Sequence, residues 1–334
     1  MLSNSELVAT PEFIQAIEMD SDTSAPILQE IRNIGACEGH VNALALTPDG
    51  KFVLTGGWNK TLFLFDLNTG SCVRAFEGHE EAITALTVSP NGRFALSGSW
   101  DTTLRLWELQ TGRCLQVLHG HRSCIRAVTV TPDGRFVLSG SDDEYLSGGK
   151  NTLFCWDLET GRHLQSFEGH TSDVNAIVVT PDGKSAVSGS NDNTIRIWKL
   201  TRGLILSRGA CVKTLQGHED GIIALAVTPD GRFILSGSKD ETMRLWDIAT
   251  GKCVHIFQGH ETDVFSIAIS SDGQFALAGS QNGWLWDIAS GRCLNIFDGH
   301  GMGVFAITIT SDNNFAIAGN RNFLRLWDLR SVLH

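Results

Sequence analysis

The dipeptide Gly-His recurs seven times along the 334-residue chain, at Gly39-His40, Gly78-His79, Gly120-His121, Gly169-His170, Gly217-His218, Gly259-His260 and Gly299-His300. Each is followed by an aromatic-acidic pair or its remnant: Phe65-Asp66, Trp107-Glu108, Trp156-Asp157, Trp198-Lys199, Trp246-Asp247, Trp286-Asp287 and Trp327-Asp328. Two landmarks in register at a period of about forty residues call for an array of similar units, each too small to bury its apolar face except against a neighbour. One closed body therefore accounts for a length that would otherwise suggest two domains.

The second repeat serves as the template. Ala82 to Val88 reads as an apolar strand, Ser89-Pro90-Asn91-Gly92 as a turn, Arg93 to Gly98 as the second strand and Trp100-Asp101 as the next turn. Thr103 to Leu109 is then the third strand and, after Gln110-Thr111-Gly112, Arg113 to Leu118 is the outermost. The Pro-Asp-Gly and Thr-Gly punctuation supplies residues that adopt positive φ at the turns. Runs such as Phe52-Val53-Leu54, Phe136-Val137-Leu138 and Phe233-Ile234-Leu235 lack polar alternation, as expected of sheets buried on both faces.

With these landmarks the chain resembles the WD40 β-propeller family from about Ile27 to Leu329, and the likeness among its repeats resembles bacterial, cyanobacterial-type WD40 proteins. The resemblance implies an all-β, seven-bladed propeller with four antiparallel strands per blade. The last repeat ends at Trp327-Asp328-Leu329 with too little chain left for an outer strand, while Arg32 to Glu38 aligns with the outer strand Cys72 to Glu77. In the family the N-terminal segment commonly completes the last blade, and closure removes raw sheet edges. The expected division is residues 1–26 as an acidic extension, with Thr10-Pro11-Glu12 able to start a short helix through Met19, and residues 27–334 as the propeller.

Charge narrows the partners. The chain is −11 overall, yet Met1 to Glu30 carries Glu6, Glu12, Glu18, Asp20, Asp22 and Glu30 with no Lys or Arg, so more than half of that excess lies outside the repeats. No basic face suited to a phosphate backbone results, and nucleic acid is not an expected partner. Without a cationic, apolar leader or a run of about 20 apolar residues, the chain reads as soluble and cytoplasmic, with no membrane partner. The expectation is a monomeric propeller within a larger complex. Cys72, Cys114, Cys211, Cys253 and Cys293 occupy one equivalent position on different blades, too far apart for disulfides, and read as small buried hydrophobes.

The family resemblance assigns the Gly-His histidines to a buried network with an Asp, a Ser or Thr and the Trp of the same blade. Complete sets are His79, Ser97, Asp101 and Trp107; His170, Ser188, Asp192 and Trp198; and His218, Ser236, Asp240 and Trp246. In repeat three, His121, Ser139 and Trp156 are present and the Asp is either Asp142 or Asp143. Repeat one has Asn59 and Phe65, and repeats six and seven have Ala278 and Ala318 for the Ser, with Asn282 and Asn322 for the Asp. These three incomplete blades adjoin around a closed ring, which makes that sector the softest. A Ser, His and Asp together invite a hydrolytic reading, but a serine inside an apolar strand, once per blade, lacks the access that a nucleophile needs. His260 and His300, freed of partners, invite a metal; equivalent positions on separate blades do not converge on one ion. No catalytic residue, metal or cofactor is expected, and Ser147-Gly148-Gly149-Lys150-Asn151-Thr152 lacks phosphate-loop spacing.

Function then falls to the face bearing the Gly-His loops, here called the top. By repeat alignment the residues before the second turn are Trp58, Trp100, Asp142, Asn191, Lys239, Gln281 and Arg321, and those flanking the innermost strand are Asn42, Thr84, Arg126, Asn175, Ile223, Phe265 and Phe305. The mixture of Trp, Phe and Ile with Arg126, Lys239 and Arg321 has the makeup of an interaction hot spot. Two insertions break the period, Glu144 to Gly149 (bearing Tyr145 and Leu146) on the top and Thr201 to Gly209 on the opposite face. The sequence thus points to a non-enzymatic scaffold or sensor subunit that binds a protein or peptide. The alternative is a propeller enzyme or small-ligand binder using the central channel, with Asp142, Asp173 and Asp263 as its carboxylates.

Overall fold

The computed structural model of the chain describes residues 30–36, 40–142, 151–200, 210–298, 303–320 and 323–333. The extension 1–26, the insertions 144–149 and 201–209, and Tyr145, Leu146, Asp143, His300, Arg321 and Asn322 lie outside the described residues.

Seven four-stranded antiparallel sheets follow one another around a ring. In the second blade the strands are Ile83–Val88, Phe94–Ser99, Leu104–Glu108 and Cys114–Leu118, innermost to outermost. The alternation expected of a half-exposed sheet is missing from the second strand, where every residue after Phe94 is buried, because neighbouring blades cover both of its faces. The last blade is assembled from both ends of the chain. Ala306–Ile309, Phe315–Gly319 and Phe323–Asp328 are followed in space by Glu30–Ala36, which pairs antiparallel with Phe323–Asp328 through Asn33 opposite Arg325 and Ile34 opposite Leu324. A single helical turn, Arg330–Leu333, ends the chain, and Val332 packs against the last core cluster.

Glycine in the second strand sets how closely blades approach. A Cβ added to Gly98 would lie 2.5 Å from Ile125 Cγ2 of the next blade, and one on Gly319 would lie 2.7 Å from Val41 Cγ1 across the closure. Each blade thus seats a β-branched side chain of its neighbour in a notch that only glycine leaves open. Apolar clusters accordingly run between blades: Val41, Val53 and Phe65 of the first pack with Ile317, Leu324 and Leu326 of the last.

The acidic member of the aromatic-acidic pair closes the turn into the outer strand. Asp157 Oδ1 accepts from the Thr160 amide at 2.8 Å and its hydroxyl at 2.7 Å, and Asp247 does the same with Thr250 at 2.7 and 2.8 Å. These bonds hold both carboxyls below the ordinary range.

One expectation is corrected here. Cys72, Cys114, Cys211 and Cys253 are exposed and Cys293 is half-buried, so they are not small buried hydrophobes. Each begins an outermost strand, which has no neighbour on its outer side, and apolar residues there, such as Val73, Val212 and Val254, stand about half exposed. Their thiols turn back on the chain, as Cys211 does to the Lys213 carbonyl at 3.2 Å. The seven described cysteines are all unpaired, and Cys155 is the buried one.

Candidate functional site

The three complete networks share one geometry. In the second blade His79 Nδ1 lies 2.7 Å from Asp101 Oδ2, His79 Nε2 lies 2.7 Å from Ser97 Oγ, and the Trp107 indole N–H donates to Ser97 Oγ at 2.8 Å. Asp101 also accepts from the Glu80 amide at 3.0 Å and from the Thr103 amide and hydroxyl at 2.9 and 2.6 Å. Burial opposes the Asp101 charge, but these donors prevail and hold its carboxyl well below the usual range. The sets at His170 and His218 repeat these distances to within 0.1 Å. Ser97, Ser188 and Ser236 have no solvent exposure, and each hydroxyl is engaged by both an imidazole and an indole. The arrangement ties a top loop to the second and third strands; a nucleophile so enclosed has no approach for substrate. In the third blade His121 Nε2 and Trp156 Nε1 meet Ser139 Oγ at 2.7 and 2.8 Å, while Asp142 turns instead to Arg126 at 3.0 Å.

The sixth blade departs furthest. Ala278 replaces the serine, and neither His260 ring nitrogen nor the Trp286 indole nitrogen has a hydrogen-bond partner among the described residues. His260 is buried against Trp284 and Trp286, which stack on one another, its centroid 5.1 and 5.4 Å from theirs. Burial pushes its pKa down to about 4, with the Glu241 backbone opposing weakly. Among the described residues no group of three or more His, Cys, Asp or Glu side chains is placed to hold a metal ion.

At the top mouth of the channel two sectors differ in chemistry. One is an arc of aromatic rings. Phe265 lies 5.0 Å from Phe305, Phe305 lies 6.0 Å from His40, His40 stacks on Trp58 at 5.2 Å, and Trp58 lies 5.7 Å from Trp100. Trp58 is 54% and Trp100 40% exposed, while Phe265, Phe305 and His40 are half-buried. Repeat alignment found four of these rings. It missed His40, which in a blade lacking the Asp and Trp partners faces Trp58 and Phe305 instead.

The other sector is polar. Arg126 forms ion pairs with Asp142 at 3.0 Å and Asp173 at 3.5 Å, and Asn191 donates to Asp173 at 3.1 Å. Burial and the adjacent Asp142 push the Asp173 carboxyl up. Of the three carboxylates singled out from sequence, Asp142 and Asp173 therefore come together around one arginine, and Asp263 belongs to the sixth blade. Lys239 is exposed and Ile223 half-buried.

The innermost strands explain why the flanking residues do not act alike. In each of the first five blades the ladder slips by one residue, between Val41 and Ala43, Ile83 and Ala85, Ile125 and Ala127, Val174 and Ala176, and Ile222 and Ala224. The extra residues are Asn42, Thr84, Arg126, Asn175 and Ile223, released from their own ladder to reach sideways. Asn42 donates to the Ile83 carbonyl at 3.1 Å, Thr84 to the Ile125 carbonyl, and Asn175 to the Ile222 carbonyl at 2.9 Å. These side chains clasp the next blade. In the sixth and seventh blades the innermost strand begins only at Ser266 and Ala306, one residue past Phe265 and Phe305, and these two rings pack on one another.

A family model for the WD domain, G-beta repeat matches residues 31–66, 70–108, 112–157, 161–199, 209–247, 251–287 and 291–328. The chain is a WD40-repeat protein. The matched units begin at each outer strand and end at the next aromatic-acidic pair, so the first takes in the N-terminal strand of the last blade. Over 51 residues this WD40 chain is also 39% identical to small ribosomal subunit protein RACK1 of Caenorhabditis elegans, a stretch covering 15% of this chain and 16% of that protein. WD40 propellers commonly serve as protein-interaction scaffolds, which agrees with the coarse reading from sequence. No helix among the described residues is long and apolar enough to cross a membrane.

Proposed function

We propose that this WD40 protein is a non-enzymatic, cytoplasmic scaffold or sensor subunit that binds a protein or peptide on its top face, as part of a larger complex. The observation that carries the reading is the arc from Phe265 to Trp100, whose two tryptophans are the exposed ones of the Trp and Phe side chains among the described residues. Contiguous exposed apolar surface is uncommon on a propeller without a partner, and Trp dominates binding hot spots. Around the arc, Arg126, Ile223 and Lys239 form the more polar rim, joined in the sequence reading by Tyr145 and Arg321. The likeness to the small ribosomal subunit protein RACK1 is compatible with assembly into a complex.

Replacing Trp100 and Phe265 with Ala tests the reading. Partners that co-purify with the native chain are expected to be lost, each truncation weakening binding by about 2 kcal/mol, while the melting temperature stays close to wild type. Val212→Ala with Val254→Ala, on exposed outer-strand positions, is expected to bind normally. Retention of every partner by the aromatic double variant would refute the top-face assignment.

A further inference from the structure

Resting on that reading, we infer that the segment received by the tryptophan end of the arc is basic, an extended stretch of a partner protein carrying Lys or Arg side chains over Trp58 and Trp100. Two independent features of the same spot favour a cation. The first is the rings. Trp58 and Trp100 stand 5.7 Å apart at 56°, two differently inclined rings that are each partly exposed, Trp58 with one face stacked on His40. Trp is the strongest of the side-chain partners for ammonium or guanidinium groups, which sit within about 6 Å of the ring.

The second feature is the loop between them. Backbone bonds fix it: the Trp100 amide donates to the Ala82 carbonyl at 2.9 Å, and the Glu80 amide to Asp101 at 3.0 Å. It carries Glu80 and Glu81, both exposed. Lys60, two residues past Trp58, answers Glu81 at 3.4 Å and donates to the Glu80 carbonyl at 2.5 Å. Among the described residues the Glu80 carboxylate is matched by no cation. A loop that bears two exposed acids against one lysine, tied by its backbone to Trp100 and by Lys60 to the turn after Trp58, is suited to a positive side chain and repels an acidic one. Elsewhere on the top loops, among the described residues, exposed acids Glu219, Asp220, Glu241 and Glu261 are set against Arg122 and Lys239, so a basic segment is drawn toward the face before it docks.

The experiment uses the full chain with two synthetic peptides of twelve residues. They share their apolar residues and differ only in having Lys and Arg in one and Asp and Glu in the other. Binding is followed by peptide fluorescence anisotropy and by quenching of the protein's tryptophan emission, at low and at moderate salt. The cationic peptide is expected to bind roughly tenfold or more tightly than the acidic one, with an affinity that weakens as salt rises. Trp58→Ala with Trp100→Ala is expected to cost the cationic peptide about tenfold, the sum of two exposed cation–π contacts. Glu80→Lys, which leaves every ring in place, is expected to weaken it several-fold, and Glu219→Lys on the fifth blade to leave it nearly unchanged. Equal binding of the two peptides, or no response to Glu80→Lys, overturns the inference. If the acidic peptide binds and the double tryptophan variant abolishes that binding, the top-face reading stands and only the partner's charge is wrong. If no binding depends on the arc, both fall.

Discussion

The unpartnered histidine of the sixth blade makes the propeller acid-sensitive at a place set by one residue. His260 is buried against two mutually stacked indoles with no hydrogen bond to either ring nitrogen among the described residues, and burial pushes its pKa down to about 4 from the 6.5 of an ordinary histidine. Above pH 6.5 it is neutral in both the folded and the unfolded chain and contributes no pH dependence. Below that, the unfolded chain takes up a proton that the folded one refuses, so stability falls as pH falls until, near pH 4, the folded form protonates too. At about 1.36 kcal/mol per pH unit, the loss attributable to this side chain is roughly 2 kcal/mol by pH 5 and approaches about 3 kcal/mol by pH 4. That is a large share of the 5–15 kcal/mol typical of a folded domain. The assay is urea unfolding of wild type and His260→Phe at intervals from pH 7.5 to 4.5. A phenylalanine takes the same place against Trp284 and Trp286 and cannot titrate, so the two curves are expected to diverge below pH 6.5. Asp101, Asp192 and Asp240 also hold depressed pKa values, but their stabilisation fails at more acid pH and equally in both proteins. Parallel pH profiles for wild type and variant would refute the reasoning.

The remaining predictions follow from closure and from the networks. Deleting residues 1–38 is expected to strip the outer strand from Phe323–Asp328 and to cause aggregation, whereas deleting 1–22 leaves the fold intact; light scattering and thermal melts distinguish the two, and a soluble, monomeric 39–334 chain with an unchanged melting temperature would contradict the closure. Asp101→Ala removes a carboxylate that accepts from His79, Glu80 and Thr103 and is expected to cost about 2 kcal/mol, whereas Asn59→Ala removes one long 3.4 Å bond from Thr61 and is expected to cost under about 1 kcal/mol; equal losses in urea melts would show that completeness of the network does not matter.

The parts of this molecule that repeat were legible in the sequence, and the parts that break the repeat were not. Trp107, Ser97 and His79 could be assigned through the family resemblance, whose motif recurs in register, and the physical demand on them, burial with every polar atom paired, is the same in each complete blade. Strand ends came within a residue or two for the same reason. The cysteines went wrong because an apolar-looking position in the pattern says nothing about which side of the outermost strand has a neighbour. His40 was missed because its identity matches the repeat while its partners do not: once Phe65 replaces the indole, the imidazole finds Trp58. The one-residue slip in the innermost strands left no mark in composition, since Asn42, Thr84, Arg126, Asn175 and Ile223 share position but not chemistry. That slip decides what the flanking residues do. Where it occurs with a hydrogen-bonding side chain, as at Asn42, Thr84 and Asn175, the residue is engaged in clasping the next blade. At Phe265 and Phe305, just ahead of strands that begin at Ser266 and Ala306, the rings pack on one another and Phe305 meets His40, which extends the ring arc toward Trp58 and Trp100. The blades that depart from the hydrogen-bonded pattern, the sixth, seventh and first, are thus the ones that supply most of the aromatic surface. Loss of network polarity and gain of aromatic surface are two consequences of the same local divergence.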